Sequence, residues 1–269
     1  MFSVLSSVYA KENPDNLNLA LESLFKQTVC ANEIVIVKDG PLTDELEEVI
    51  SEFKNKYPNI LKIIPLKENV GLGNALNEGL KHITNNIVAR MDTDDICYVN
   101  RFEKQLQFLK DNPEISVVGG IVQEFNQNPG DLKQFRKLPL LSDDLYKFAK
   151  YRNPLSHPSV MFKKDDVLNA GSYQDMPFFE DYYLWIRMLL KEYKIANIND
   201  TILHFRIGND MIGRRSGFSY AKKEIRFIRA SKNLGFLSQK DFINSLLIKV
   251  PLRVLPKSFL TFLYKKLLR

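Results

Sequence analysis

Apolar and polar positions along the first 120 residues alternate between two periods. Val4-Leu5 with Val8 predicts a short buried strand. Asn13-Pro14-Asp15 then opens a helix, since proline at a helix start removes an N–H that has no intrahelical partner there. Leu17, Ala20, Leu21, Leu24 and Phe25 follow at helical spacing. Ile34-Val35-Ile36-Val37 is an unbroken β-branched run, the mark of a strand buried on both faces. Leu46, Val49, Ile50, Phe53 and Tyr57 mark a second helix. Residues 61–64 predict a third strand, 74–82 a third helix and 87–91 a fourth strand. Strands alternating with helices predict an α/β fold, Rossmann-like, with a mainly parallel sheet and right-handed crossovers.

Such sheets bind ligands beyond the carboxyl ends of their strands. The residues at those ends are Ser7 and Tyr9, then Asp39-Gly40, then Glu68-Asn69-Val70-Gly71, then Asp92-Thr93-Asp94-Asp95. Beyond residue 126 the pattern loosens around the turn Asn128-Pro129-Gly130 and a helical stretch near 146–151. A strand is expected at 157–162, and Glu180-Asp181 opens a helix bearing Leu184, Trp185, Met188 and Leu189.

Composition narrows this picture. No stretch reaches the roughly 18 apolar residues a membrane-crossing helix needs, and no basic segment precedes a long apolar run at the N-terminus. Cys30 and Cys97 are far apart, which suggests buried thiols in a reducing compartment. The net charge of +6 has a location: from Lys240 to Arg269 seven Lys or Arg face one acid, while the rest of the chain sums to zero. That argues against a nucleic-acid-binding body and for a basic tail. The tail interleaves those charges with large apolar residues, and Pro251 and Pro256 are expected to break it into short helices. It therefore suits the surface of an anionic membrane, packing on the domain or a dimer contact.

Three carboxylates within four residues, Asp92, Asp94 and Asp95, repel one another unless a cation neutralises them, so they are candidate ligands for Mg²⁺ or Mn²⁺. A surface turn or helix cap would also use them. Asp39 could accept from a nucleobase, and the glycines at 71 and 73 could expose N–H groups to phosphate. Arg90 is a phosphate or base candidate. Either Glu180 or Asp181 could be a general base in an apolar setting, or simply complement the helix dipole. Arg206 and the pair Arg214-Arg215 could clamp a diphosphate. His82, His157 and His204 are dispersed and match no metal spacing.

Taken in order, these segments resemble family 2 of the inverting glycosyltransferases over about the first 215 residues. The resemblance rests on Ser7-Val8-Tyr9, on Ser23-Leu24-Phe25-Lys26-Gln27-Thr28 and on the run from Glu33 to Asp44. It continues through Ala89-Arg90-Met91-Asp92-Thr93-Asp94-Asp95, Arg101-Phe102 with Gln105, His157-Pro158-Ser159, and Glu180-Asp181-Tyr182 with Trp185. The nearest flavour is the bacterial amylovoran, O-antigen and exopolysaccharide enzymes. Leu76 stands where many members carry arginine, so a phosphate contact falls to Arg90.

The resemblance implies a GT-A fold over 1–215, with a nucleotide-binding half over 1–120, an acceptor half over 121–215 and a helical basic extension over 216–269. It implies nucleotide-sugar contacts from Ser7, Tyr9, Glu12, Asp39, Asn69, Gly71, Arg90, Asp92 and Thr93. Asp94, with Asp92 and Asp95, would hold Mn²⁺ or Mg²⁺, and Asp181 would be the base. His157, Glu180, Trp185 and Arg206 would meet the acceptor or diphosphate. A UDP-sugar donor, a glycan or undecaprenyl-type lipid-linked acceptor, and a cytoplasmic enzyme peripheral on the inner face of the bacterial membrane follow from it. A sugar-nucleotide nucleotidyltransferase, or a non-catalytic nucleotide-sugar-binding component of an assembly complex, would share the acid cluster. The first would need a Gly-rich loop after the first strand, where Ser7 to Glu12 stand.

Overall fold

In the computed structural model, which describes residues 1–207, 213 and 215–254, the first four strands lie parallel in the order β3-β2-β1-β4. They are β1 (Ser3–Val8), β2 (Glu33–Lys38), β3 (Leu61–Pro65) and β4 (Ile87–Arg90). The crossovers are α1 (Pro14–Phe25), α2 (Asp44–Lys56) and α3 (Leu72–His82). Local chemistry starts the first two. The Asn13 side chain accepts from the N–H groups of Asp15 and Asn16, and Thr43 accepts from Leu46, so N–H groups without an intrahelical partner are satisfied.

The period-2 geometry of a strand sends successive side chains to opposite faces. Leu5, Val35 and Val37 enter one core with Leu76, Phe162 and Trp185, while Val4, Ile34 and Ile36 enter the other with Leu21, Phe53 and Phe102. This two-sided burial is why β1 and β2 read as continuous apolar runs.

After β4 come β5 (Ile96–Cys97), α4 (Arg101–Asp111), β6 (Ile115–Phe125), β7 (Gln134–Arg136), α5 (Ser142–Phe148), β8 (Met161–Lys163), α6 (Lys164–Asn169), α7 (Glu180–Leu190) and β9 (Lys194–Arg206). They extend the same sheet as β4-β8-β6-β9-β5, with β7 paired to β6. The parallel expectation holds from β3 to β4 and for β6 with β9. The β4/β8, β6/β8, β5/β9 and β6/β7 pairs are antiparallel, so the whole sheet is mixed. Residues 157–162 are not one strand: His157–Ser159 is a 3₁₀ turn holding Pro158, and the strand begins at Met161.

Helix α7 buries every residue from Tyr182 to Leu189. A helix apolar on all sides belongs in a core, and each large side chain so buried contributes about 1.5–3 kcal/mol. Helices α8 (Gly217–Asn233) and α9 (Gln239–Val254) join the same core. Phe227 of α8 stacks on Phe179 at 4.7 Å between ring centroids, and Phe242, Leu246 and Val250 of α9 pack against the cluster.

Pro251 does not break α9. The hydrogen bond its ring eliminates would have ended on the carbonyl of Leu247, an exposed residue, so water can serve that carbonyl. Residues 255–269, including Pro256, Lys257, Lys265, Lys266 and Arg269, lie outside the described residues.

Candidate active site

Strand order brings the sequence-predicted residues to one edge. Ser7 is the penultimate residue of β1 and Tyr9 lies just past it, Asp39 follows β2, and Asp92 to Asp95 follow β4. The Asp39 N–H donates to the Val8 carbonyl at 2.8 Å, tying the first two strand ends together. The Asp39 carboxylate is buried and accepts from the N–H groups of Val70 (2.7 Å) and Gly71 (3.2 Å), while the Asn69 side chain donates to the Asp39 carbonyl at 3.2 Å. Asp39 therefore shapes the loop that leads into α3. Gly40 sits at φ 87°, and a Cβ there would come within 2.8 Å of the Asn69 nitrogen, so this close approach requires glycine.

Asp92, Asp94 and Asp95 each offer a carboxylate oxygen, and these oxygens all lie within 4.8 Å of one another. Burial, then the charges of Asp92 and Glu12, push Asp94 up to about 7. Burial and the neighbouring Asp94 and Asp92 push Asp95 well above the ordinary carboxylate range. One Asp95 oxygen accepts from the Arg206 N–H at 2.8 Å, and the other is buried without a hydrogen-bond partner among the described residues. Crowded, desolvated carboxylates with an orphaned oxygen fit a hard divalent cation. Glu12 also accepts from the Thr93 hydroxyl at 2.8 Å, which fixes the cluster to the loop after β1.

Arg90 is 1% exposed and pairs through Nη2 with Asp92. Its Nε and Nη1 are buried without hydrogen-bond partners among the described residues. Its backbone is clamped by Arg101, which donates to the Arg90 carbonyl at 2.7 Å and to the Val160 carbonyl at 3.3 Å. Gln105 bridges the carbonyls of Val118 (3.0 Å) and Ser159 (2.9 Å). Gln27 ties α1 to the turn before α4 through the Tyr98 carbonyl and the Phe102 N–H. The Ser-Leu-x-x-Gln-Thr and Arg-Phe-x-x-Gln segments are thus buried fasteners behind the site. Leu76 is fully buried in the core.

On the other side stand Glu180 and Asp181, at the start of α7. Asn153 donates to Asp181 Oδ2 at 2.6 Å. Burial pushes the Asp181 carboxyl up, while Asn153, the Tyr182 N–H, Arg90 and Arg215 pull it back. Burial pushes Glu180 up to about 7, with the Asp181 charge adding to it. Gly73 at the start of α3 makes room for Glu180, whose Cγ would lie 3.1 Å from a Cβ there. His157 is held neutral by burial and the Arg90 charge, and shares a 2.9 Å hydrogen bond with the Tyr173 hydroxyl. Asn77 orders the Tyr173 segment by donating to its carbonyl at 2.7 Å and accepting from its N–H at 3.0 Å.

Two predicted contact residues take other positions. Trp185 is fully buried, with its ring centroid 6.2 Å from that of His157, so it backs the histidine. Arg206 donates its Nε to the Asp94 carbonyl at 2.8 Å and lies over the Phe125 ring at 4.4 Å, so it braces the acid cluster from behind. Arg214 lies outside the described residues. Asn153 and Tyr173 lie outside the expected helices and strands, and Asn77 sits within the predicted third helix with nothing to mark it as a site residue. Asn153-Pro154 offers only a loop signal.

A sheet of this order, with a carboxylate cluster at the end of β4 and a buried acid opening a helix across from it, defines the GT-A class of sugar-transferring enzymes. Residues 3–221 match the family described as Glycosyl transferase family 2, and the chain belongs to that family. It is 43% identical over 269 residues to the amylovoran biosynthesis glycosyltransferase AmsE of Erwinia amylovora, covering 99% of this chain and 98% of that one. It is 37% identical over 268 residues to the UDP-Gal:alpha-D-GlcNAc-diphosphoundecaprenol beta-1,3-galactosyltransferase of Escherichia coli, covering 100% and 96%. The mannosyltransferase PcManGT of Pyrobaculum calidifontis, solved with GDP-Man and Mn²⁺, superposes with a TM-score of 0.66 at 16% identity, over 99% of this chain and 79% of that one. The protein is a bacterial-type polysaccharide glycosyltransferase. None of the helices among the described residues is long and apolar enough to cross a membrane.

Proposed function

We propose that this enzyme moves a sugar from a UDP-sugar to a hydroxyl of a glycan carried on a polyprenyl diphosphate, with inversion at the anomeric carbon. The carrying observation is the cluster of Asp92, Asp94 and Asp95, whose carboxylate oxygens lie within 4.8 Å of one another, together with the buried acid Asp181 at the start of α7. Asp92 is ion-paired to Arg90, and Asp181 is fixed by Asn153.

Asp94, with Asp92 and Asp95, would hold Mn²⁺ or Mg²⁺, which when bound supplies charge neutralisation for the departing diphosphate. Asp39 and Tyr9 form the base pocket together with Ser7, and Asp39 holds the Asn69–Gly71 loop in place for it. Glu12 and Thr93 position the sugar-phosphate end. Asp181 takes the acceptor hydroxyl proton at the carboxylate oxygen that Asn153 does not hold. The new C–O bond forms as the C–O bond to phosphate breaks. No covalent enzyme intermediate is involved. Glu180, with a carboxyl near half-protonation at neutral pH, and neutral His157 face the acceptor side, and Arg206 acts by bracing Asp94.

Residues 1–215 carry this chemistry, and 216–269 attach the enzyme to the cytoplasmic face of the membrane. The relatives named for amylovoran and for a diphosphoundecaprenol acceptor support the substrate class.

The test is transfer from a panel of UDP- and GDP-sugars to synthetic polyprenyl-diphosphate glycans with Mn²⁺ present, with the product anomer read by NMR. A retained anomeric configuration, or turnover of GDP-sugars alone, would overturn the reading.

A further inference from the structure

Helix α9 turns two of its cations inward and leaves several large apolar residues facing water. Arg253 turns inward and donates to Glu224 of α8 at 2.6 Å, and Lys249 is buried deeply enough to lower its pKa. Phe242, Leu246 and Val250 complete the inward face. Outward it presents Ile243, Leu247, Ile248 and Val254, with Leu247 69% and Ile248 63% exposed. Residues 243, 247 and 254 fall on one helical stripe. A helix packed on a soluble domain ordinarily shows water its polar face.

The positive charge lies on the neighbouring helix. From Gly217 to Asn233, α8 carries five basic side chains against the single Glu224, which is turned inward. Lys222, Arg226 and Arg229 recur at helical spacing, opposite the buried face of Phe227 and Glu224, and line an open groove along α8. A zero net charge over residues 1–239 conceals this row, because acids elsewhere balance it.

This helix pair is fastened to the segment that leads into Asp181. The Tyr220 ring lies 5.4 Å from Phe178 and 5.6 Å from Phe179. Lys223 covers the Phe178 ring at 4.4 Å, and Phe178 itself is held at φ 73°, a conformation that costs an L-residue of this size energy.

We propose that the outward faces of α8 and α9 are the surface by which the enzyme docks on an anionic bilayer, α8 supplying the charge and α9 the apolar insertion. This rests on the reading that the acceptor is lipid-linked, and it identifies which side of the enzyme that lipid comes from. Basic residues beside exposed large apolar ones match an anionic lipid surface. A second copy of the chain is a poorer fit, because a two-fold contact through α9 would bring two like-charged α8 rows together. Docking there leaves the segment Phe178 to Asp181, on which the inner face of α8 packs, one helix away from the headgroups.

The experiment is flotation of the full chain with phosphatidylcholine vesicles, with and without phosphatidylglycerol. The wild type should bind only the anionic vesicles, and less at high salt. K222Q/R226Q/R229Q should lower the partition coefficient about 100-fold, taking about 1 kcal/mol per cation. L247S/I248S should lower it about 10-fold or more. Neither variant should lose UDP-sugar hydrolysis measured without vesicles, which also reports that it is folded. The K222Q/R229Q pair, which leaves the exposed Arg226–Asp175 pair intact, should show an intermediate loss. Wild-type indifference to anionic vesicles overturns the proposal. So does a triple variant that binds like the wild type, or an α9 variant that alters self-association alone. If the wild type floats with vesicles but hydrolyses no UDP-sugar, the donor reading fails while the docking surface stands.

Discussion

The amide of Asn153 lies 2.6 Å from Oδ2 of Asp181, so a loop residue 28 positions earlier in the chain orients the proposed base. A hydrogen bond to a carboxylate favours its charged form. Removing it in N153A should therefore raise the Asp181 pKa and move the acidic limb of the kcat/KM profile to higher pH. At neutral pH kcat should fall about 10-fold or somewhat more, since a bond to a charged group is worth about 1.5–3 kcal/mol. A variant with lower activity but an unmoved pH profile would show that Asn153 only shapes its loop.

D181N keeps the size of the side chain and can still bond Asn153, but it cannot accept a proton at neutral pH. Its kcat should fall by roughly 10²- to 10⁴-fold, with donor affinity nearly unchanged. Stopped-flow or calorimetric donor binding separates the two quantities. A collapse of donor affinity with surviving chemistry would move the base to Glu180.

The acid cluster should respond to substitution with opposite signs with and without metal. In chelator, D94A removes one of three mutually repelling carboxylates, so its Tm should equal or exceed that of the wild type. With Mn²⁺ added, the wild type should gain stability and the variant should not, because only a state that binds the ion is stabilised by it. Turnover should be lost as well. An unchanged Mn²⁺-induced rise in Tm in D94A would exclude this residue as a ligand.

Glu180 gives a stability signature. Its carboxyl is raised from 4.5 to about 7 by burial, so between those pH values the folded protein binds more protons than the unfolded chain. Its contribution is fully present below about pH 4.5 and is lost as pH rises through about 7. E180Q stays neutral throughout. Relative to wild type it should gain stability with pH, from near zero at pH 4.5 to at most about 3 kcal/mol at pH 8. Urea denaturation across that range reads it, and a flat difference would mean that the carboxyl titrates normally.

The sequence carries the half of the site built on β1 to β4 plainly. Strands buried on both faces announce themselves as β-branched runs, and a doubly wound topology obliges their carboxyl ends to converge, so Ser7, Tyr9, Asp39 and the acids after β4 assemble as expected. The second half is less legible. Strands β6 and β9 are the two longest of the sheet, yet β6 contains Gly119-Gly120 and β9 contains Asn197 and Asp200. These interrupt any strand-like periodicity. The glycines persist because Asn197 and Ile202 of the neighbouring strand occupy the space a Cβ would need.

What the sequence determined by itself was local and periodic: which segments are strands buried on two faces, which helices begin at Asn13 and Thr43, and that Asp92, Asp94 and Asp95 crowd one turn. What only the tertiary structure decided was pairing between distant residues. Arg206 looks like a clamp for diphosphate until β9 places its Nε on the Asp94 carbonyl. Arg253 and Lys249 count as tail charges until α9 turns them towards α8. Charge is a property of a residue, but its exposure and its partner are set by packing. A guanidinium buried against Glu224 and one open to solvent at Arg229 are indistinguishable until the helices that carry them are laid side by side.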